Sequence, residues 1–327
     1  MVAPASQPAP DSCEPGHPDW GIRRDWFWQG HRCHWRELGE THHPPLVLIH
    51  GFGAGSGHWR HNAHSLAAAG WRVFALDLIG FGASSQPGVV PGRPLDNRLW
   101  ARQLQGFLEQ VVQGPAVLVG HSLGGLVALS CAVFFPSWVV GVVAAPLPDP
   151  ALVSGDGSRP RRRPPWRRRL KRWLVSSLCR LLPLELLVPL IARSPLLDLG
   201  IQSAYATPVV GDEELRRVIA RPARRPTAVR SLRAMSIAMA LRPQAATAPM
   251  LLERLRRPLF VVWGACDQLV PLRVARRVHQ LRNDIPLEVM ADCGHCPHDE
   301  QPQGFNRLVL AWLQQIQAAS GPGGHVT

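Results

Sequence analysis

Short apolar runs alternate with stretches of helical periodicity along most of this chain. Trp26-Phe27-Trp28 and Cys33-His34-Trp35 flank Gln29-Gly30-His31-Arg32, a pattern that predicts an N-terminal hairpin. Leu46-Val47-Leu48-Ile49 reads as a buried strand that ends at His50-Gly51-Phe52-Gly53. A helix over residues 59–69 and a strand over 72–76 follow, and Asp77 with the loop 80–85 closes that strand. Leu95, Leu99, Arg102, Gln103, Phe107 and Val111 then recur at helical spacing. Next come a strand at 116–119, a helix over 122–134 and a strand at 139–143. After an interruption from about residue 150 to 257 the alternation resumes, with strands at 259–263 and 287–290 and helices over 272–281 and 304–316. Strands and helices alternating at these intervals predict an α/β fold, with a mostly parallel central sheet and helices on both faces. Residues 20–149 and 258–318 form the two parts of the core on this reading, and 150–257 a helical cap insertion. The Pro-, Ala- and Ser-rich segment 1–19 and the tail 319–327 read as flexible ends.

Composition changes this picture in three places. His121 is the only His, Asp, Glu, Lys or Arg from Val111 to Pro148, so that stretch has the composition of a membrane span. Gly120, Gly124, Gly125, Pro136 and Gly141 interrupt it and divide it into strand, helix and strand, and buried parallel strands are apolar on both faces. Residues 1–19 carry neither a basic nor an apolar leader region, so no secretory signal is expected. The formal net charge of +13 is uneven: nine cations fall between Arg159 and Arg172, namely Arg159, Arg161, Arg162, Arg163, Arg167, Arg168, Arg169, Lys171 and Arg172. Leu170, Trp173, Leu174, Leu178 and Leu181 interleave with that run, and residues 184–191 are more uniformly apolar. A solvated charge run, a cap–core interface, a hydrophobic substrate mouth and shallow attachment to an anionic membrane all fit these residues. No nucleic-acid-binding motif accompanies the charge.

The chemistry-bearing residues follow strands. Gly120-His121-Ser122-Leu123-Gly124-Gly125 sets a serine between close glycines at a strand-to-helix turn, the nucleophile elbow of an α/β-hydrolase. A serine hydroxyl needs a base, and Asp292-Cys293-Gly294-His295 offers His295 in the loop after a late strand. The base needs a carboxylate to hold its tautomer. Asp267, just beyond the strand 259–263, is the expected one; Asp149 is its rival, set in Pro146-Leu147-Pro148-Asp149-Pro150. In this architecture the backbone N–H groups of Phe52 and Leu123 form the oxyanion hole, and Gly51 and Gly53 let their loop approach closely. His50, His121 and His298 are read as loop supports. Cys293-Gly294-His295-Cys296 has the spacing of a redox pair, and Cys266 and His298 add metal-binding atoms, but the dispersed ligands match no closed zinc pattern. These cysteines are expected to be reduced thiols near the end of the sheet, with no metal and no cofactor.

Residues 26–318 resemble the α/β-hydrolase superfamily. Within it, three segments are similar to the cyanobacterial and plastid branch of pheophytinases and chlorophyll dephytylases: His50-Gly51-Phe52-Gly53-Ala54-Gly55 with His58-Trp59-Arg60, the stretch from Ala75 to Ser84, and Gly294-His295-Cys296-Pro297-His298-Asp299-Glu300. That resemblance implies hydrolysis of a phytyl ester, with Ser122, Asp267 and His295 as the triad. It also implies a cytoplasmic protein on the cytoplasmic face of a thylakoid membrane. Serine favours acyl transfer to water through an acyl-serine, whereas an aspartate at that position points to dehalogenase or epoxide-hydrolase chemistry. A cofactor-free haloperoxidase, a carbon–carbon hydrolase and a nonenzymatic lipid-surface protein are the other readings.

Overall fold

The computed structural model describes residues 20–90, 92–153, 170, 173–175, 177–179, 181 and 183–320. Arg161, Arg162, Arg163, Arg167, Arg168, Arg169, Lys171 and Arg172 lie outside the described residues, as do the terminal segments 1–19 and 321–327.

The strands are β1 (Ile22–Trp28), β2 (His31–Leu38), β3 (Pro45–Ile49), β4 (Arg72–Leu76), β5 (Ala116–His121), β6 (Val139–Ala145), β7 (Leu259–Gly264) and β8 (Leu287–Met290). They form one sheet in the order β1-β2-β4-β3-β5-β6-β7-β8. β1 and β2 form the expected hairpin, closed by Gln29 and Gly30, both at positive φ, which is the backbone a tight two-residue hairpin turn requires. β2 also runs antiparallel to β4, and every later pair is parallel.

Side chains alternate along each strand, so each central strand feeds two cores. Val47 and Ile49 of β3 enter one, shared with helices Asn97–Phe107, Leu123–Phe134, Ala248–Arg254 and Leu272–Leu281. Leu46 and Leu48 enter the other, against helices Ala63–Ala68 and Pro302–Ser320. Between β6 and β7 lie further helices, among them Leu184–Arg193, Leu196–Gln202, Glu213–Ala223 and Ala228–Ala240.

Two predicted helices are irregular. The one at 59–69 is a 3-10 turn, Ser56–Trp59, followed by Ala63–Ala68. Asn62, at the break, donates to the His298 carbonyl at 2.9 Å and to Asn306 at 2.8 Å, so its side chain answers to the C-terminal region. The helical spacing from Leu95 to Val111 is realised as an α-helix, Asn97–Phe107, continued by a π-turn, Leu108–Val112, that stops at Gln113 with φ 61°.

Candidate active site

Ser122 sits between β5 and the helix Leu123–Phe134 with φ 52° and ψ −119°, a strained conformation for a non-glycine residue. Its N–H still reaches the Ala145 carbonyl of β6 at 3.2 Å, so the sheet holds the turn from one side. The neighbouring glycines are steric necessities. A Cβ on Gly120 would stand 2.3 Å from the Gly124 carbonyl oxygen, and one on Gly124 would stand 2.1 Å from that of Ile49. Only with both side chains missing does the helix start close enough to β3 and β5 to lift the Ser122 hydroxyl to the rim of the sheet.

The residues expected to join Ser122 arrive from the ends of β7 and β8. Their loops are tied together: Ala265 N–H donates to the Met290 carbonyl and Cys266 N–H to that of Cys293, both at 2.9 Å. Gly264 lets them meet, since a Cβ there would fall 2.0 Å from the Gly294 oxygen. His295 Nε2 lies 2.9 Å from Ser122 Oγ, and His295 Nδ1 lies 2.9 Å from Asp267 Oδ2. A carboxylate only accepts, so Nδ1 carries the proton and Nε2 is left to accept from the serine. The other Asp267 oxygen accepts from the N–H groups of Leu269 at 2.9 Å and Val270 at 2.8 Å. Trp263 on β7 donates to the Val270 carbonyl at 2.8 Å and pins the same turn.

Asp149, the rival carboxylate, is engaged elsewhere. One oxygen accepts from Ala151 N–H at 2.9 Å and pairs with Arg242 at 2.6 Å; the other accepts from Ala248 N–H at 2.7 Å. It starts two helices and anchors a buried guanidinium, and its hydrogen bonds turn it away from His295.

The loop after β3 is shaped by His50. Leu78 N–H donates to His50 Nε2 at 3.0 Å, which leaves Nδ1 to donate to the Gly51 carbonyl at 2.7 Å. Burial holds the imidazole below its ordinary pKa, the neutral state this pattern needs. Phe52, in the same loop, is exposed and meets Phe81 edge-on. Gly53 takes φ 76°, and a Cβ on Gly51 would stand 2.5 Å from the His121 ring. Leu123 begins its helix, where a backbone N–H has no partner within the helix. The expected oxyanion donors therefore belong to a loop locked by His50 and to a helix N-terminus beside Ser122.

Behind His295 lies a buried polar layer that includes His121 and His298, the expected loop supports, and that extends to partners the sequence did not reveal. His121 Nε2 donates to the His295 carbonyl at 3.0 Å, and burial, then neighbouring histidines, hold it well below its usual pKa. His298 is buried and uncharged for the same reasons, packed on Trp59 with ring centroids 4.4 Å apart. Ring nitrogens of His58, His121 and His298 lie within 4.8 Å of one another, yet His58 Nε2 also contacts Tyr205 Oη at 3.0 Å and His121 Nε2 is committed to His295. Tyr205 donates to Asp299 at 2.7 Å, and Arg60 bridges Asp299 at 3.3 Å and Asp212 at 2.7 Å. One residue before Tyr205, the Ala204 carbonyl accepts the His295 N–H at 2.7 Å. Glu300 accepts from Gly294 and Ala206 N–H, each at 3.1 Å. The base loop is thus clamped to the segment between β6 and β7. Asp299 and Glu300 close the segment 294–300, but their partners at 204–206 are too distant in sequence to be read from it.

Cys293 and Cys296 are buried free thiols, and Cys266 is an exposed one. Burial pushes the Cys293 thiol up to about 12, which leaves it protonated and poorly suited to redox exchange.

A strained serine at a strand-to-helix turn, a histidine after the last strand and a carboxylate after the one before it are the marks of one fold family. The match of residues 46–308 to the alpha/beta hydrolase family model settles the point. This chain is an alpha/beta hydrolase. It is 30% identical over 288 residues to the 2-hydroxy-6-oxononadienedioate/2-hydroxy-6-oxononatrienedioate hydrolase of Burkholderia vietnamiensis, covering 87% of this hydrolase and 91% of the relative. A shorter similarity, 32% over 139 residues, links it to the bifunctional epoxide hydrolase 2 of Sus scrofa, covering 42% of this chain and 24% of that one. Among solved structures, a membrane phospholipase A shares the fold with a TM-score of 0.68 at 22% identity, over 90% of this hydrolase and 86% of that chain.

Proposed function

We propose that this alpha/beta hydrolase is a serine carboxylic-ester hydrolase acting on a hydrophobic ester. The observation that carries the reading is the unbroken line Asp267–His295–Ser122, with both links at 2.9 Å. His295 Nε2 takes the Ser122 proton as Oγ attacks the ester carbonyl. The tetrahedral oxygen is held by the N–H groups of Phe52 and Leu123. His295 then passes the proton to the departing alcohol, leaving an acyl-serine. A water, deprotonated by the same nitrogen, attacks that acyl group and releases the acid. Asp267 fixes the tautomer and stabilises the imidazolium throughout. Epoxide hydrolysis through an alkyl-enzyme ester calls for a carboxylate nucleophile, and Ser122 occupies that position.

The substrate is an ester with a large apolar part. Exposed Phe52 belongs to the proposed oxyanion loop, and Leu196 and Leu199 stand exposed on the helix just before the Ala204 clamp. Its narrowest version is a phytyl ester, supported by the resemblance of the segments around His50, Asp77 and His295 to phytyl-ester hydrolases. Similarity over most of both chains to a 2-hydroxy-6-oxononadienedioate hydrolase favours a second reading, carbon–carbon bond hydrolysis on the same relay.

The test labels the protein with a serine-directed phosphonate, maps the adduct by mass spectrometry, and incubates unlabelled enzyme with three substrates. These are a long-chain ester, a phytyl ester and 2-hydroxy-6-oxononadienedioate. Ser122 labelling with release of alcohol and acid supports the esterase. Turnover of 2-hydroxy-6-oxononadienedioate alone selects the second reading. An adduct on another residue, with Ser122 unmodified, overturns both.

A further inference from the structure

Of the three residues in the relay, His295 has the weakest support from the sheet. Ser122 follows β5, an interior strand, and Asp267 follows β7, which is paired on both sides. The His295 loop leaves β8, a four-residue strand at the edge of the sheet. Its imidazole must nevertheless meet Asp267 and Ser122 at once, each at 2.9 Å. A misplacement of about 1 Å in such a constellation costs on the order of 100-fold in rate. Something outside the sheet has to hold this loop.

The segment between β6 and β7 does so from several directions. The His295 N–H donates to the Ala204 carbonyl at 2.7 Å, while its carbonyl accepts from His121 Nε2 at 3.0 Å, so both main-chain groups are held. Gly294 touches the same segment, since a Cβ there would stand 2.8 Å from the Ala204 oxygen and 2.8 Å from the Ala206 nitrogen. On the other side of His295, buried Cys296 joins an apolar cluster with Ile201, Tyr205 and Leu215.

Two carboxylates complete the attachment. Glu300 Oε1 accepts from Gly294 N–H at 3.1 Å, on the base loop, and from the N–H groups of Ala206 at 3.1 Å and Thr207 at 3.3 Å, on the insertion. One oxygen therefore spans the two. Asp299 accepts from Tyr205 at 2.7 Å and from the largely buried Arg60 at 3.3 Å. Arg60 also pairs with Asp212 at 2.7 Å and Glu214 at 3.6 Å, at the start of helix Glu213–Ala223.

We propose that residues 204–207 of the insertion, keyed by Glu300 and Tyr205, position His295 for proton transfer, so that the relay is in line only while the insertion is docked on the base loop. Glu300 and Tyr205 are positioning residues, acting through His295 without touching the reacting atoms. Their role presupposes the relay proposed above for Ser122, His295 and Asp267.

The experiment measures kcat and KM of the full chain on a small chromogenic acyl ester, which has no long apolar part for the insertion to hold. One-dimensional NMR follows the His295 Nδ1 proton, because a proton held between imidazole and carboxylate resonates far downfield; its absence from Asp267→Asn assigns it. Glu300→Ala is expected to lower kcat at least about tenfold, with KM within about twofold of wild type, and to broaden or erase the downfield signal. Glu300→Gln keeps an accepting oxygen and restores most of both. Tyr205→Phe loses only a hydroxyl and serves where alanine at position 300 does not fold; it lowers kcat about threefold or more and weakens the signal. Circular dichroism verifies that each variant is folded. Wild-type kcat with a sharp signal in folded Glu300→Ala, or in Tyr205→Phe where the alanine variant does not fold, overturns the proposal. A lowered kcat with an unchanged signal overturns it too, by reducing these residues to structural ones. Ser122→Ala, assayed in parallel, separates the levels. Turnover retained by Ser122→Ala brings down the relay and the positioning role with it, whereas an inactive Ser122→Ala beside an unaffected Glu300→Ala removes the positioning role alone.

Discussion

Asparagine at position 267 tests the proposed relay at its least conspicuous member. Asp267 divides its oxygens between two tasks: Oδ2 accepts from His295 Nδ1, and Oδ1 accepts two backbone N–H groups at 2.9 and 2.8 Å. Asparagine has one accepting oxygen, so it can serve one task only. Turning the NH2 toward Leu269 and Val270 sets donor against donor and leaves two part-buried N–H groups without their acceptor, at up to about 1 kcal/mol each. Turning it toward His295 costs only a change of tautomer, because Nδ1 gives up its proton and accepts. The backbone therefore wins, and His295 is left with its proton on Nε2, facing Ser122 as a donor. A base in the wrong tautomer cannot deprotonate the serine, and the expected fall in kcat is about 10⁴-fold, or about 5 kcal/mol of transition-state stabilisation. Hydrolysis of a chromogenic acyl ester gives kcat, and thermal unfolding gives stability. Asp267→Asn is expected to unfold near the wild-type temperature, since its backbone acceptor survives, whereas Asp267→Ala loses that acceptor and unfolds several degrees lower. Turnover of Asp267→Asn within about tenfold of wild type, a small fraction of the expected loss, would refute this assignment of Asp267.

Other consequences are open to measurement. Asp149→Ala strands the largely buried Arg242 guanidinium and should cost about 3–5 kcal/mol in chemical denaturation, with kcat of the folded fraction little changed; a large kcat defect in fully folded protein would return Asp149 to the reaction. Gly124→Ala places a Cβ against the Ile49 carbonyl, a backbone atom that cannot swing aside, and should destabilise by about 3 kcal/mol or more; an equilibrium midpoint like that of wild type would show that the elbow yields. The Asp299 carboxyl is held at about 2, below its ordinary 3.8, because hydrogen bonds and charge from His58, Arg60 and Tyr205 outweigh burial. A depressed folded-state pKa means that this stabilisation is present above the unfolded value and is lost as pH falls from about 5 toward 2. Urea titrations at both ends should find Asp299→Asn losing less stability to acid than wild type, and equal losses would remove Asp299 as a source.

Much of this architecture was legible because its signals are local. The apolar runs at 46–49, 116–119 and 259–263 mark central strands that have no solvent face, and the glycines around Ser122 mark a turn that tolerates no side chains. His295 and Asp267 stood out by following strands. What stayed hidden depends on partners far away in the chain. Asp149 also follows a strand and stayed a rival to Asp267 in the sequence, because Arg242 and Ala248, which claim its oxygens, lie about a hundred residues away. The helix expected at 59–69 is interrupted at Asn62, whose side chain serves His298 and Asn306, more than two hundred residues further along the chain. Residues 204–206 carry no motif at all; Ala204 and Ala206 act through backbone groups, which composition does not encode.

The hydrogen bond from His295 N–H to the Ala204 carbonyl bears on how substrate preference can be re-engineered in this scaffold. Exchanging the inter-strand insertion with that of a related hydrolase is the obvious route to a new specificity. Here a graft that replaces residues on both sides of Ala204 swaps the acceptor of the His295 backbone N–H along with the helices of the insertion. A chimera joined before residue 204 keeps that acceptor, together with Tyr205 and the Ala206 N–H, as part of the recipient. Where the seam falls thus decides whether changing what binds also disturbs how the proton moves.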